Sequence, residues 1–330
     1  MKAVLFPSAN EVSVGQLPDP EVGAGQVLIR IGASGICHTD IEVMRGNYGT
    51  STYPLVPGHE FAGEIAEVGP DVAGLAVGNR VVIDPNLECG NCGACRRGWA
   101  HLCENLGAYG VTTNGGFAEF CVVRADAVHK IGDLSFAQAA LAEPMGCVLN
   151  GLAPLQDRIV ERAAIFGTGP MGLLMGMALK ARDVSEVIML DVDEDRLQMA
   201  EEAGLKTMIS DESHLAELKR SCDLAVDATG VPNVVEKLPE YTANGGAMLV
   251  FGVCQQNAKI AVSPFDLFRR QLTLFGTHSL NHNIPDALQT LAAIGDDVRK
   301  VISHQVSLEE IADIMAGNQL AGSMKVQMSV

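Results

Sequence analysis

"AAIFGTGPMGLLMGMALKA", residues 163–181, is the stretch that decides the fold. An apolar run ends at Phe166, and Gly167, Gly169 and Gly172 then follow in G-x-G-x-x-G spacing. That spacing is informative where a strand precedes it and a helix opens from it, as the apolar runs on both sides predict here. The glycines allow a tight turn and let the backbone approach a pyrophosphate. The helix start, with Pro170 and Met171, offers N–H groups and a partial positive charge. The next apolar run, VIML, ends at Asp191. An acid roughly 20 residues beyond the glycines can accept hydrogen bonds from ribose hydroxyls. A 2′-phosphate would meet that carboxylate, so NAD is expected over NADP. Arg196, five residues further on, reads either as a residue packed on the adenine or as plain helix surface. The uncharged run Ala163–Leu179 approaches membrane-span length, but GTGP interrupts it. Strand, turn and helix account for it better than a spanning helix.

From Ala163 to about Phe275, apolar strands (AAIF, VIMLD, TMIS, LAVDAT, AMLVFG, LTLFG) alternate with helical stretches such as DRLQMAEEAG and SHLAELKR. Nearly continuous apolar strands between helices predict a doubly wound parallel sheet. Residues 1–140 differ: short Val/Ile runs are broken by Gly and Pro, which predicts many short strands. After Ile284 come one helix (PDALQTLAAIG) and strand-like pieces, ISHQVS and KVQMSV, expected to return to the first domain. The chain of 330 residues accommodates two domains. The expected α/β architecture is a β-rich catalytic domain, 1–145 and 281–330, and a nucleotide-binding domain, 146–280.

The formal charge is −17, with 23 basic against 40 acidic side chains and no basic run. A phosphate-backbone binder needs clustered Lys and Arg, so nucleic acid is excluded as a partner. The N-terminus MKAVLFPSANEVSV lacks the apolar core of a signal peptide. No membrane association and a cytoplasmic location are expected.

Four of the nine cysteines fall within residues 89–103, "CGNCGACRRGWAHLC". Cys89, Cys92, Cys95 and Cys103 form C-x2-C-x2-C-x7-C. Four thiolates from one loop can close a tetrahedral Zn²⁺ shell, which makes a structural site. In a ferredoxin run the fourth cysteine follows after three residues and precedes Pro. Here it follows after seven and precedes Glu104, so zinc is favoured. A second cluster begins at "GICHTD", residues 35–40. A catalytic zinc needs about three protein ligands and an open position. Cys37, His59 and Glu60 of "PGHEF", and Glu143 of "LAEPMGC" at the seam between the predicted domains, supply S, N and O donors.

Taken in order, GICHTD, PGHEFAGEIAEVG, the four-cysteine loop, LAEP, GTGPMG and LD resemble the zinc-containing medium-chain alcohol dehydrogenases, from residue 2 to about 328. Glu143 in an AEP segment is similar to the polyol and threonine dehydrogenase branch. The resemblance implies a GroES-like catalytic domain and a Rossmann coenzyme domain. It implies catalytic zinc on Cys37 and His59, with Glu60 and Glu143 as third ligand or water-linked neighbours. It implies a proton passed through Thr39, a ligand oriented by Asp40, and structural zinc on Cys89, Cys92, Cys95 and Cys103. NAD would bind at Gly167, Gly169, Gly172 and Asp191, with Gly252–Val253 and Gly276–Thr277 near the nicotinamide. The implied reaction is reversible hydride transfer between a polyol or other secondary alcohol and NAD, in a homodimer or homotetramer with two zinc ions per chain. Three departures stand out. Glu42 occupies the place of a relay histidine, and His38 that of a common glycine. Ser279 and Leu280 replace the substrate-contacting Arg-Tyr pair of sorbitol enzymes, with His278 and His282 nearby. Competing readings are an L-threonine-type dehydrogenase, which would need an anion site, a zinc-free reductase and a non-catalytic nucleotide sensor.

Overall fold

The computed structural model describes residues 1–318 and 320–329. They form two compact units: Met1–Gly146 with Asn281–Ala292 and the chain from Ile302 onward, and Cys147–Leu280 with Ala293–Val301. Residues 293–301, which the sequence places with the first domain, thus pack with the second. The reason is local. The 3-10 stretch Gly295–Val301 buries Val298 and Val301 beside the helix Pro170–Ala181, and Lys300 reaches the Glu202 carbonyl.

The second unit is the doubly wound sheet the sequence predicts. Six parallel strands lie in the order 206–209, 186–191, 162–166, 222–227, 242–250, 273–276. Arg162–Phe166 is central, and the winding reverses between it and Cys222–Asp227, so the crevice where such sheets bind ligands opens at Gly167. Gly167 has φ +101°, which favours glycine. A Cβ on Gly172 would lie 1.9 Å from the Gly167 carbonyl oxygen, so only glycine lets the helix start this close to the strand end.

In the first unit a seven-stranded sheet runs 302–306, 325–329, 26–35, 60–68, 80–83, 128–130, with 120–124 also pairing on 26–35. Alternation along Gln26–Gly35 and Glu60–Val68 sends Ile29, Ile31, Phe61 and Ile65 inward, where they join Phe6, Val81 and Phe117. Each such side chain contributes ~1.5–3 kcal/mol by leaving water. Two register pairs set up the site: Gly35 lies opposite Glu60, and Gln327 lies opposite Gly35. The returning C-terminal strand thereby carries Lys325 to the start of the site. Among the described residues, no helix is long and apolar enough to cross a membrane.

Candidate active site and metal centres

Cys37 ends the segment leaving strand Gln26–Gly35 and caps the short helix His38–Met44 from an extended conformation. This answers why thiol, imidazole, hydroxyl and carboxylate crowd into GICHTD. Asp40, in the helix's first turn, reaches back to accept the Cys37 N–H at 2.9 Å. Its other oxygen accepts the Gly58 N–H at 3.2 Å and meets His59 Nδ1 at 3.2 Å. Asp40 is fully buried, so one carboxylate fixes the backbone of two segments and the ring of one candidate ligand. With Nδ1 held, Nε2 is the nitrogen left to meet a metal. Burial disfavours a charged His59. The charges of Asp40 and then Cys37 outweigh it, and its pKa stands well above the ordinary histidine value. A metal must compete with that proton.

Donor atoms of Cys37, His59 and Glu60 all lie within 4.8 Å of one another. Glu60 is 1 % exposed, and its Oε2 has no hydrogen-bond partner among the described residues. An orphaned buried carboxylate oxygen beside a thiol and an imidazole is what an S, N, O zinc site requires. Gly35 makes room for it: a Cβ there would lie 2.2 Å from Oε2. Glu143, the fourth expected donor, is buried at the start of helix Ala142–Leu152 but stands outside the three-donor group.

The sequence reading missed Lys325. It is 4 % exposed, and its Nζ donates to Glu60 Oε1 at 2.7 Å and to the Ile36 carbonyl at 3.0 Å. Burial works against its charge, but Glu60, then Cys37 and Glu143, more than offset this and raise its pKa. The signal was a single cation amid "MKVQM" in a strand that returns to the core.

Thr39 Oγ1 is 3.7 Å from Cys37 Sγ. Glu42, in the relay position, accepts from Asn47 at 2.8 Å and Arg45 at 3.0 Å. The Asn47 bond foremost, against a small opposing effect of burial, holds its pKa below the usual carboxylate value. It is a poor proton acceptor. His38 is solvent-facing, 3.6 Å from Glu42. His278 is exposed. His282 faces two acids, Nδ1 3.7 Å from Asp84 and Nε2 3.3 Å from Glu88. With a carboxylate at each nitrogen, the ring is best satisfied as imidazolium. Asp84 chiefly, against burial and with Glu88, raises its pKa. A raised pKa stabilises below the unfolded value and the benefit is lost as pH rises through the folded one. Amide exchange at 281–283 should therefore quicken as pH rises through that transition, and His282→Gln should flatten the dependence. An equal pH response in both proteins would refute the pairing.

The four cysteines also converge, their sulfurs within 4.8 Å of one another. Cys92 is pulled down to about 6, first by the Cys95 N–H and next by that of Glu104. Cys95 is pushed up to about 12, first by burial and then by Cys92 beside it. Such a pair shares one proton, which a metal would displace. Among the described residues no fifth donor joins this four-sulfur set, which fits a structural ion.

At the coenzyme loop, Asp191 Oδ2 accepts the Thr168 N–H at 2.7 Å, and Oδ1 accepts those of Val192 and Asp193 at 2.8 and 3.1 Å. The acid thus shapes the glycine turn itself. The helix Pro170–Ala181 begins after Gly169 with no side-chain cap, leaving its first N–H groups for a ligand. Arg196 is half-exposed and pairs with Asp193 at 3.8 Å. Val253 is exposed on the loop after strand Thr242–Val250. Thr277 Oγ1 accepts from Asn150 at 3.4 Å.

Residues 23–133 match the family model of the alcohol dehydrogenase GroES-like domain, and residues 170–293 that of the zinc-binding dehydrogenases. D-altritol 5-dehydrogenase of Agrobacterium fabrum is 44 % identical over 100 % of this chain and 99 % of its own. The chain belongs to the zinc-binding alcohol dehydrogenase family. As a dehydrogenase of this family it is an oxidoreductase acting on alcohols, with a GroES-like and a Rossmann-type part, and the named relative fits the polyol branch. A zinc-binding dehydrogenase of Sinorhizobium meliloti 1021 bound to NADP is 31 % identical, with TM-score 0.93 over 100 % of this chain and 99 % of that one. An alcohol dehydrogenase of Escherichia coli CFT073 complexed with NADH is 27 % identical, with TM-score 0.90 and the same coverage.

Proposed function

We propose that this dehydrogenase is a cytoplasmic enzyme that oxidises a secondary hydroxyl of a polyol to a ketone with NAD⁺. Zinc would sit on Cys37, His59 and Glu60, with Glu143 as a nearby buried carboxylate, and a second zinc on the four-cysteine loop. The observation that carries this is the orphaned Glu60 Oε2, buried against Cys37 and His59. Bound there, zinc would supply a Lewis acid for the hydroxyl oxygen, and a nicotinamide coenzyme held at the Gly167–Gly172 turn would supply the hydride acceptor. Thr39 Oγ1, beside Cys37, takes the hydroxyl proton and passes it outward. Glu42 does not take it, because its bonds from Asn47 and Arg45 stabilise the carboxylate and hold its pKa down, so water finishes the relay. Asp40 holds His59 in one tautomer.

D-altritol stands first as substrate because of the 44 % identical relative. The test is absorbance at 340 nm with NAD⁺ or NADP⁺ against D-altritol, other hexitols and pentitols, simple secondary alcohols and L-threonine. Polyol-dependent NADH formation, lost on removing zinc and restored by adding it, is expected. Activity on threonine alone would move the substrate class. No reduction of coenzyme with two zinc ions and NAD bound would sink the enzymatic reading. Light scattering of the same preparation should show a homodimer or homotetramer.

A further inference from the structure

Glu60 has two oxygens in different circumstances. Oε1 is tied to Lys325 at 2.7 Å, while Oε2 has no hydrogen-bond partner among the described residues and faces the room left by Gly35. Lys325 is itself pinned, because its ammonium also donates to the Ile36 carbonyl, one residue before Cys37. It sits on a central strand, Lys325–Ser329, flanked by Ile302–Val306 and Gln26–Gly35. Its head therefore cannot drift as a surface lysine would. An unpaired carboxylate can offer a cation either one oxygen or two. A carboxylate with one oxygen held by a fixed ammonium is biased to offer the other, because the ammonium takes a lone pair of the first and repels a cation brought near it.

We infer that Lys325 is a positioning residue: it ties up Oε1 of Glu60, so that the carboxylate meets the metal through Oε2 alone. The inference rests on the metal site proposed above. Its chemical sense lies in charge and coordination. A thiolate and a carboxylate together neutralise a divalent ion. Were both oxygens free, Glu60 would fill the position that a substrate hydroxyl needs. Lys325 keeps that position open and returns one positive charge to the site. The residue touches neither substrate nor coenzyme on this reading; it acts on the metal through Glu60, and its bond to the Ile36 carbonyl fixes its head.

The experiment uses the full chain loaded with Co²⁺, in four forms: wild type, Lys325→Met, Glu60→Gln and the double variant, with Lys325→Arg as the conservative control. Metal content, the visible d–d bands of Co²⁺ and the rate of chelator-driven release are measured. The four-cysteine site is common to all forms and cancels in difference spectra. In Lys325→Met the bands of the three-ligand site should weaken, as they do when coordination number rises, and the release rate should change about 10- to 100-fold. Lys325→Arg should restore the wild-type spectrum. Adding Lys325→Met to Glu60→Gln should change the spectrum and release rate far less than Lys325→Met does alone, leaving only the effect of the lost bond to the Ile36 carbonyl. Spectra and release rates unaltered in Lys325→Met, or altered equally in both backgrounds, would overturn the inference while leaving the metal site standing. Wild type that binds one cobalt per chain would overturn the metal site and the inference together.

Discussion

Asp40→Ala should strip most of the zinc from the three-ligand site while leaving the four-cysteine zinc in place. Three hydrogen bonds end on this fully buried carboxylate, from Cys37 N–H, Gly58 N–H and His59 Nδ1. Removing it orphans two backbone donors that set where Cys37 and His59 stand, at about 1–3 kcal/mol each. It also frees the His59 ring to rotate. Loss of a group that orients a metal ligand typically costs about 10- to 100-fold in metal affinity or activity. Metal per chain after dialysis should therefore fall from about two towards one. Asp40→Asn should do less damage, since its carbonyl can still accept from Gly58 and His59 while its amide faces the Cys37 N–H. Thermal unfolding of Asp40→Ala should shift down with the lost hydrogen bonds. Full retention of both zinc ions, with an unchanged release rate, would show that Asp40 does not hold the site.

The parallel sheet was legible because its inner strands, 162–166, 186–191 and 222–227, are buried and read as nearly unbroken apolar runs, and because Gly167 and Gly172 are demanded by backbone contacts only glycine permits. The four-cysteine loop was legible because all its donors come from one short stretch. Cys37, His59 and Glu60 are brought together by strand register and a capped helix start, and their motifs gave them away. Lys325 was not legible. Its partner is 265 positions away, and one lysine in a C-terminal strand is indistinguishable in sequence from a solvated edge residue. Glu143 was expected as third ligand or water-linked neighbour; it is buried at the start of its helix, outside the three-donor group that Glu60 joins. The packing of 293–301 on the second unit was hidden for a related reason: Val298 and Val301 bury as a pair on a 3-10 turn too short to show a period.

Asp191 carries the second large effect, on coenzyme choice. Wild-type protein should use NAD⁺ over NADP⁺ by a few-fold to about a thousandfold in kcat/KM, and Asp191→Asn should collapse most of that ratio. The carboxylate spends three of roughly four lone-pair sites on backbone N–H groups of the glycine turn and the following loop. That leaves one for a ribose hydroxyl and none for a phosphate, which brings only acceptors. Two like charges about 4 Å apart repel by about 1 kcal/mol in water and about 4 kcal/mol at an effective dielectric of 20. Since about 1.4 kcal/mol is tenfold, a 2′-phosphate beside Asp191 should cost between a few-fold and about a thousandfold. Arg196, five residues on in the chain, is drawn off by Asp193 at 3.8 Å; freeing it with Asp193→Asn should narrow the ratio in the same direction. In Asp191→Asn, NAD⁺ use should also fall, because the amide nitrogen now confronts either the Thr168 N–H or those of Val192 and Asp193 and loosens the turn. The signature is therefore a drop with NAD⁺ and a flat or improved rate with NADP⁺. An equal drop with both coenzymes would mean that Asp191 only shapes the turn. A wild type that prefers NADP⁺, the coenzyme of the Sinorhizobium structure, would mean that the 2′-phosphate is seated by residues other than Asp191.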